Sequence, residues 1–441
     1  MTVMTAGSQA WMPSRANGAV APAGSESGSM SLFAVAWDWY ARNRDLLTAA
    51  AALSGGALLA WGALQQPAFA PRRFIANGPN RLPSTTEVFS KAVEQLGSDK
   101  IQVCIGGIYT LERISRENGH DYGAVMEILT AFVRQRAPWV EPDILAPHDP
   151  PPRKPPRGAD VAAALTVILR RKHADRLQDD SRLDLRRTNL AGASLMHARL
   201  RRANLFAANL ADSTLASADL FQANLGRSNL SRCNAVGARL CRTNLRAATL
   251  KGADFRGSDL SGATLSWADM RGVSFYGANL AGATIVEAQL QQANLHGADC
   301  RAADMSGSDI ASADLGGANL SNARLGGARL CGASLARSNL SAASLYEADL
   351  VGADFRAATL QNADLSWSDL SAADLSWADL NGAVLYGARL RGADLRGASL
   401  VGADIRGTDM TEACLTDAIM RGAISMTDKG PDASETSRAA E

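Results

Sequence analysis

The 441-residue chain has few cysteines, histidines and aromatic residues, and its charges nearly balance. Its six cysteines include no CxxC pair and show no metal-ligand spacing, so they imply neither a disulfide framework nor a zinc site. The five histidines are scattered, and there is no GxSxG, P-loop or strand-associated GxGxxG motif. These absences leave no catalytic constellation and favour a protein that is not an enzyme and holds no cofactor or metal.

A large apolar residue falls on nearly every fifth position from Leu185 to Met420, without an insertion or a deletion. The interval holds 48 five-residue units, just over half of the chain. In most units the residue two positions before the large one is small, and the residue directly before it is short and polar. The second residue after it is often Gly. A fixed short period held over such a length predicts a repeat architecture.

Five-residue periodicity fits neither an α-helix nor a flat strand, whose periods are 3.6 and 2 residues. The small residue and the large residue two positions later lie on the same side of a short extended segment. A corner follows, and its second middle position, often Gly, is where a type II turn needs a positive φ. Four corners close a square coil, which places residues twenty apart in adjacent layers separated by ~4.8 Å.

The repeat resembles the A(D/N)Lxx signature of the pentapeptide-repeat family over residues 183–426, for example at Ala203–Leu205, Ala208–Leu210 and Ala373–Leu375. The resemblance implies a mainly β fold, a right-handed quadrilateral β-helix. Four units per coil predict a solenoid of about 12 coils and about 58 Å in length, in which like side chains stack on one another.

An uncharged segment from Leu46 to Leu64 is nineteen residues long and has tryptophans near both ends. It predicts a transmembrane helix within residues 31–66. A buried Ala-rich helix and a signal peptide ending at Ala70 are the alternatives. Positive charge is slightly heavier after the segment, which favours a cytoplasmic repeat domain attached to the bacterial inner membrane.

The other segments follow from composition and capping signals. Ser84 to Glu87 forms a capping box that begins a three-helix segment over residues 84–137, with a mid-helix Gly106-Gly107 pair that lets a neighbouring helix approach. This segment resembles the helical part that precedes the repeats in bacterial membrane-linked pentapeptide proteins. The remaining predictions are a disordered tail at 1–30, a Pro-rich linker at 138–157, a helix at 158–176 that caps the first coil, and a disordered tail at 427–441.

Outward positions of the predicted solenoid carry the candidate binding residues. Exposed aromatic side chains on a rigid surface are common anchors of protein interfaces. The aromatic candidates are Trp267, Tyr346, Trp367, Trp377 and Tyr386. The twenty-residue spacing also places Asp354, Asp374 and Asp394 in one column, where stacked carboxylates share a proton, bind a cation or contact a partner, or else are solvated members of the repeat's polar position.

Charge is distributed unevenly along the repeats. Residues 185–256 contain twelve Lys and Arg against three Asp and Glu, whereas residues 257–426 contain eleven against nineteen. The basic end suggests contact with anionic lipid headgroups through Arg186, Arg187, Arg199, Arg201 and Arg202, and simple solvation of the first coils is the alternative.

Together these features predict a membrane-tethered scaffold that presents a rigid surface to an unknown protein partner. The alternative comes from family members that resemble B-form DNA and protect DNA gyrase. That function needs a strongly acidic surface, and the nearly neutral repeats disfavour it. No direct contact with nucleic acid is expected. Ala423, Ile424 and Met426 either cover the last coil or join two copies in a homodimer.

Overall fold

A computed structural model describes residues 84–117, 121–140, 158–170 and 183–425. All described residues belong to one compact unit. The predictions for the two tails, for Leu46–Leu64 and for most of the Pro-rich linker fall outside the described residues. In the described ranges, no helix has the length and hydrophobicity needed to cross a bilayer.

In the part of the chain that the structure describes, four helices precede the repeats: α1 (Thr85–Leu96), α2 (Ile101–Glu117), α3 (Tyr122–Arg136) and α4 (Ala159–Leu169). The capping box of α1 is present, because the Glu87 amide donates to the Ser84 hydroxyl and the Ser84 amide donates to the Glu87 carboxylate. Two reciprocal bonds of this kind satisfy amides that have no partner inside the helix. They fix the first residue of the helical segment.

Helix α2 lies at the centre of this segment and packs against α1, α3 and α4. Ile108 and Leu111 are fully buried, whereas Ile101 is 46% exposed at the first position of the helix. Of the two central glycines, only Gly107 is at a close contact. A Cβ there would lie 2.7 Å from the Ala92 carbonyl oxygen, and Gly106 has no neighbour within 4 Å.

The glycine pair therefore provides a matched test of helix packing. Gly107→Ala should lower the free energy of unfolding by about 1–3 kcal/mol, because α1 must move away from α2. Gly106→Ala should leave it unchanged or raise it by up to about 1 kcal/mol, since Ala is the better helix former. Urea unfolding followed by circular dichroism measures both variants. Equal effects at the two positions would show that close α1–α2 contact does not matter.

The repeats form a solenoid whose strands are single residues paired with the residue twenty positions later. Parallel bridges begin at Asp184–Asn204 and continue without a break to Asp404–Ile424. Each large residue donates its amide to the next layer, as in the 2.7 Å bond from Leu205 N to the Asn224 oxygen. The twenty-residue stacking predicted from the sequence is therefore the organising feature of the fold.

The corners between strands have the predicted turn geometry. Ala193 N donates to the Leu190 oxygen at 2.9 Å, and this three-residue closure recurs throughout the solenoid. The second residue after each large residue has φ between 53° and 70°, at 21 glycines and also at 27 other residues. The left-handed backbone is thus imposed at every corner, whichever residue occupies it.

The interior consists of continuous columns of apolar side chains. The large residues from Leu190 to Leu400 are almost completely buried, as are the small residues two positions before them. Phe255 and Phe275 lie in adjacent layers of one column with ring centroids 5.5 Å apart. One apolar cluster includes these columns and the cores of the four helices, so the solenoid and the helical segment share a core.

The first layer of the solenoid is covered by the residues that follow α3. Pro138 forms an antiparallel bridge with Thr188, Trp139 N donates to the Arg187 oxygen at 2.7 Å, and Asn189 N donates to the Ala137 oxygen at 2.8 Å. The sequence assigned this covering to the helix at 158–176 alone and treated residue 138 onward as a spacer. The spacer assignment is wrong for residues 138 and 139, which pair with the edge of the first coil. Helix α4 packs on α2 and α3 and belongs to the same apolar cluster as Leu183, Leu185 and Leu190, and its capping role stays a prediction.

Candidate functional site

The solenoid has four walls, here named A to D after their central residues. Wall A contains Leu185 and every residue a multiple of twenty later, and walls B, C and D contain Leu190, Leu195 and Leu200 in the same way. On each wall the residue before the centre and the two residues after it face outward. Walls A and C are opposite each other, as are walls B and D.

The polar position before each centre has a structural role that the sequence did not reveal. Its side-chain oxygen accepts a hydrogen bond from the backbone amide two residues later, as from Gly226 N to Asn224 Oδ1 at 3.2 Å and from Ser376 N to Asp374 Oδ1 at 3.0 Å. This bond satisfies a corner amide that the strand pairing does not reach. Asn and Asp recur there because short side chains with a carbonyl or carboxylate oxygen fit this geometry.

Four of the five candidate aromatic residues lie on wall A. Trp267, Tyr346, Trp367 and Tyr386 are 46%, 42%, 55% and 38% exposed. The rings of Trp367 and Tyr386 meet edge to face, with centroids 5.4 Å apart. Trp367 also lies over Gly387, where a Cβ would be 2.7 Å from the indole ring. The part of wall A around residues 367–387 therefore presents a preorganised aromatic pair.

Charged neighbours hold two of these rings in place. The Arg246 guanidinium lies 3.7 Å from the centroid of a Trp267 ring, and Trp267 Nε1 donates to Glu287 Oε2 at 2.8 Å. Arg406 lies over the Tyr386 ring at 5.7 Å. Sequence reasoning missed Arg246, Glu287 and Arg406, although the layer spacing of about twenty residues places each of them beside its aromatic neighbour.

The remaining candidates lie on wall C, opposite the aromatic wall. Trp377 is 70% exposed. Asp354, Asp374 and Asp394 are stacked in one column as the sequence predicted. Arg356 lies 2.7 Å from Asp354 and 3.8 Å from Asp374, and Arg396 lies 2.6 Å from Asp394. Each of the three carboxylates therefore has an arginine neighbour, and the two arginines offset most of the negative charge, which makes the column a poor cation site.

Arginines placed two residues after a carboxylate lower the pKa of that carboxyl group. The hydrogen bond from Arg356 holds the pKa of Asp354 below its usual value, despite the opposing effect of burial. Asp254, Asp269, Asp299, Asp394 and Asp404 have lowered pKa values for the same reason. Because these groups recur at several levels of the solenoid, small contributions add along it.

The lowered pKa values predict loss of stability in acid. A carboxyl group whose pKa is lower in the folded state stabilises the fold above its unfolded pKa of about 3.9, and this contribution disappears as the pH falls through the folded pKa. We expect a melting temperature that is nearly constant from about pH 7 to 5 and falls below about pH 4. Replacing Arg256, Arg301, Arg356, Arg396 and Arg406 with Ala should flatten this dependence, and an equally steep fall in that variant would contradict the assignment.

Comparison with known families agrees with this architecture. The model of pentapeptide repeats matches the chain in eight copies, which together run from residue 181 to residue 422 except for residues 311 and 312. The matched stretches cover more than half of the 441 residues. The chain belongs to the pentapeptide-repeat family.

Several solved pentapeptide-repeat structures are similar to this chain. HetL, from the cyanobacterium Nostoc sp. strain PCC 7120 and involved in heterocyst differentiation regulation, is 30% identical, with 55% of this chain and 89% of HetL covered and a TM-score of 0.22. A lumenal thylakoid protein of Arabidopsis thaliana is 34% identical, with 25% and 71% covered and a TM-score of 0.18. QnrB1, a plasmid-mediated fluoroquinolone resistance protein, is 21% identical, with 43% and 89% covered and a TM-score of 0.27. No curated protein matches the chain.

The five candidate lipid-facing arginines lie on two adjacent walls of the pentapeptide-repeat solenoid. Arg186 and Arg187 are on wall A, and Arg199, Arg201 and Arg202 are on wall D. Arg186 contacts Asp184 at 3.1 Å and Arg201 contacts Asp219 at 3.4 Å, and these partners are themselves partly exposed. In the first coil, Arg186 and Arg187 lie at one edge of wall A, Arg201 and Arg202 lie at its other edge, and Arg199 lies on wall D, and all five side chains are at least partly exposed.

Cysteine and histidine have structural roles where the pentapeptide repeats contain them. Burial raises the pKa of Cys233 and of Cys300 to about 12, so neither thiol is a nucleophile at neutral pH. His296 stacks on Tyr276 with centroids 5.8 Å apart. Within the residues that the structure describes, no three His, Cys, Asp or Glu side chains form a group that could hold a metal ion.

Proposed function

We propose that the protein is a non-enzymatic scaffold whose right-handed solenoid of about twelve coils presents wall A to a protein partner. The observation that carries this proposal is the placement of Trp267, Tyr346, Trp367 and Tyr386 on one wall of a rigid solenoid. Aromatic side chains that are already ordered lose little conformational entropy on binding, and tryptophan and tyrosine dominate the binding energy of many interfaces.

Site-specific photocrosslinking in the native host tests the proposal. A photoreactive residue at Ser366 on wall A should give a discrete adduct with one protein, identified by mass spectrometry, whereas the same residue at Ser341 on wall D should not. The two serines make equivalent bonds to the polar residue of their own repeat, Asp364 and Asn339, so they are matched in local structure. Equal labelling on both walls, or no adduct at Ser366, would refute the proposal.

The aromatic pair should account for much of the affinity. We expect Trp367→Ala with Tyr386→Ala to weaken binding by about 2 kcal/mol or more, roughly thirtyfold, as for anchors at other interfaces. Trp377→Ala on wall C is the control and should retain the adduct. Because Trp367 is 55% exposed, its loss should not unfold the solenoid. A strong effect of Trp377→Ala would move the proposed site to wall C.

We further propose that residues 46–64 anchor the protein in the bacterial inner membrane with the repeats on the cytoplasmic side. The support is nineteen uncharged residues with arginines and interfacial aromatics nearby. Fractionation of cells that express the full chain tests this. Recovery with membranes that resist high salt is the expected result, and quantitative recovery in the soluble fraction would exclude the anchor.

The C-terminal end of the solenoid is proposed as a contact between two copies. Leu415, Ile419 and Ile424 are 38%, 53% and 45% exposed in the last described layers. A two-fold contact between identical ends would bury these side chains. Ile419→Asp with Ile424→Asp should shift the mass measured by light scattering from dimer to monomer. A monomeric wild-type protein would contradict this.

The DNA-mimic function is the alternative. In this function the protein would bind a nucleic-acid enzyme such as DNA gyrase in place of DNA, and a strongly acidic surface would imitate the phosphates. The nine arginines on walls A and D over the first four coils oppose it, because they would repel a surface built to bind phosphates. Inhibition of gyrase supercoiling by the purified protein would favour the alternative over the scaffold.

A further inference from the structure

The basic residues of the first four coils are concentrated on one side of the solenoid. Residues 183–262 contain twelve Lys and Arg, of which nine lie on walls A and D together with three aspartates. Walls B and C have only three basic residues against two aspartates over the same length. Only the winding of the coils produces this asymmetry, since the nine arginines are spread over some sixty residues of sequence.

Seven of these arginines form two rows along the edges of wall A. The edge shared with wall D carries Arg201, Arg202 and Arg242, and the edge shared with wall B carries Arg186, Arg187, Arg227 and Arg246. The two edges of a wall are about four residues apart, or roughly 13 Å of extended chain. We name the part of wall A between the two rows, over residues 183–262, the arginine-flanked strip.

The floor of the arginine-flanked strip begins at Asp184, whose carboxylate is paired with Arg134 and Arg186, and continues as a ladder of side-chain amides. Asn224 Nδ2 donates to Asn204 Oδ1 at 3.4 Å, and Asn244 Nδ2 donates to Asn224 Oδ1 at 3.0 Å. Asn204 Oδ1 and Asn224 Oδ1 each accept a backbone amide as well, which fills their acceptor capacity, and Asn244 Oδ1 accepts the Arg246 amide. Each Nδ2 has a second hydrogen that no described bond uses, so the floor offers donors rather than acceptors and suits anionic or carbonyl oxygens.

Four of the arginines occupy corner positions that favour glycine. Arg187, Arg202, Arg227 and Arg242 have φ values of 53° to 56°. Only six described arginines have a positive φ, and the other two are Arg232 and Arg337, which lie away from the strip. Arginine at such a position is strained relative to glycine, which occupies many equivalent corners. Their concentration along the strip is therefore not explained by folding.

We propose that the arginine-flanked strip binds an extended acidic segment of a partner protein. An extended chain directs successive side chains to opposite sides, so acidic residues lying along the strip reach both arginine rows. Four layers at ~4.8 Å accommodate about five residues of such a segment. The inference rests on the proposed function of protein binding and identifies one part of the partner.

Nucleic acid and membrane fit the strip less well. The Phe221 ring is enclosed between the Arg201 and Arg239 guanidinium groups, at 4.8 Å and 5.3 Å, and one face of Trp267 is covered by Arg246. These rings are poorly placed to stack on bases. Farther along wall A, Glu287 and Glu347 would repel the phosphates of a bilayer or a duplex that extended beyond the strip.

Binding of a fluorescent peptide of consecutive Glu residues, which directs carboxylates to both sides of an extended chain, to the full-length protein tests the proposal by fluorescence anisotropy. We expect Arg202→Gly with Arg242→Gly, and separately Arg187→Gly with Arg227→Gly, to weaken binding about tenfold or more. The matched control is Arg232→Gly with Arg337→Gly, which removes the same charge from the same backbone conformation and should change affinity less than about twofold. Because glycine suits these corners, no variant should melt at a lower temperature than wild type.

Two results would overturn the proposal. The first is an equal loss of affinity in the control, which would mean that net charge rather than the strip attracts the peptide. The second is tighter binding of a DNA duplex or of vesicles containing phosphatidylserine, with the same dependence on the strip arginines. Trp367→Ala with Tyr386→Ala should leave peptide affinity unchanged. The two proposals can therefore fail separately: this variant tests the aromatic pair of wall A, and the arginine variants test the arginine-flanked strip.

Discussion

Phe275→Ala should destabilise the solenoid by about 3–5 kcal/mol. Phe275 is completely buried, and its ring packs against Phe255 in the layer above. Its removal leaves a cavity that the neighbouring layers cannot fill, because backbone hydrogen bonds on all four walls fix their spacing. A rigid surrounding structure makes the cost of such a cavity larger than it would be in a core that can collapse.

The adjacent residue provides the control for this prediction. Tyr276 is 53% exposed and stacks on His296 at the surface, so Tyr276→Ala should cost less than about 1 kcal/mol. Urea unfolding of both variants and wild type gives the difference directly. A solenoid that unfolds layer by layer would show a broadened transition for Phe275→Ala, since each layer contacts only its neighbours. Similar midpoints for the two variants would contradict the inward and outward assignment of these positions.

Removing all residues before Leu183 should convert the protein into an aggregating solenoid. The deletion strips the first coil of its bonds to Ala137 and Trp139 and of the 2.7 Å bond from Arg134 Nη1 to the Asp184 oxygen. It also uncovers Leu183, Leu185 and Leu190, all now at most 2% exposed. An uncovered edge of this kind pairs with other chains, and repeat domains generally need a terminal cap to stay soluble.

Size-exclusion chromatography with light scattering measures the outcome. The control is a chain that begins at Ser84, which keeps α1 to α4 and the paired residues 137–139 and should elute without aggregates. The shorter chain should appear in the void volume or precipitate. If the shorter chain remains in solution with the same number of subunits as the control, the helical segment is not needed as a cap and has another role.

The sequence alone determined which residues share a wall. Because the five-residue period never slips, counting by twenty places Trp267 with Trp367 and puts Trp377 on the opposite wall, and the structure has the same arrangement. It also located the buried columns, since a large residue at a fixed register can only face inward when four units close a coil. Such arithmetic works because every contact along the solenoid is between neighbouring layers.

The five-residue period could not predict which side chains contact one another. The contacts of Trp267 with Arg246 and Glu287, and the neutralisation of the Asp354 column by Arg356, depend on rotamers that the period does not fix. The sequence also gave the polar position no structural role, because its bond to the amide two residues later becomes visible only once the corner geometry is known.

Only the tertiary structure decided what covers the first coil and where the arginines gather. Pro138 pairs with Thr188, fifty positions later, and no local sequence pattern predicts this pairing. Residue preferences for backbone conformation also do not predict the left-handed corners at Arg187, Arg202, Arg227 and Arg242, since an isolated arginine avoids a positive φ. Layer-to-layer hydrogen bonds impose the conformation on whichever residue occupies the corner, so local preference yields to the stacking of the whole solenoid.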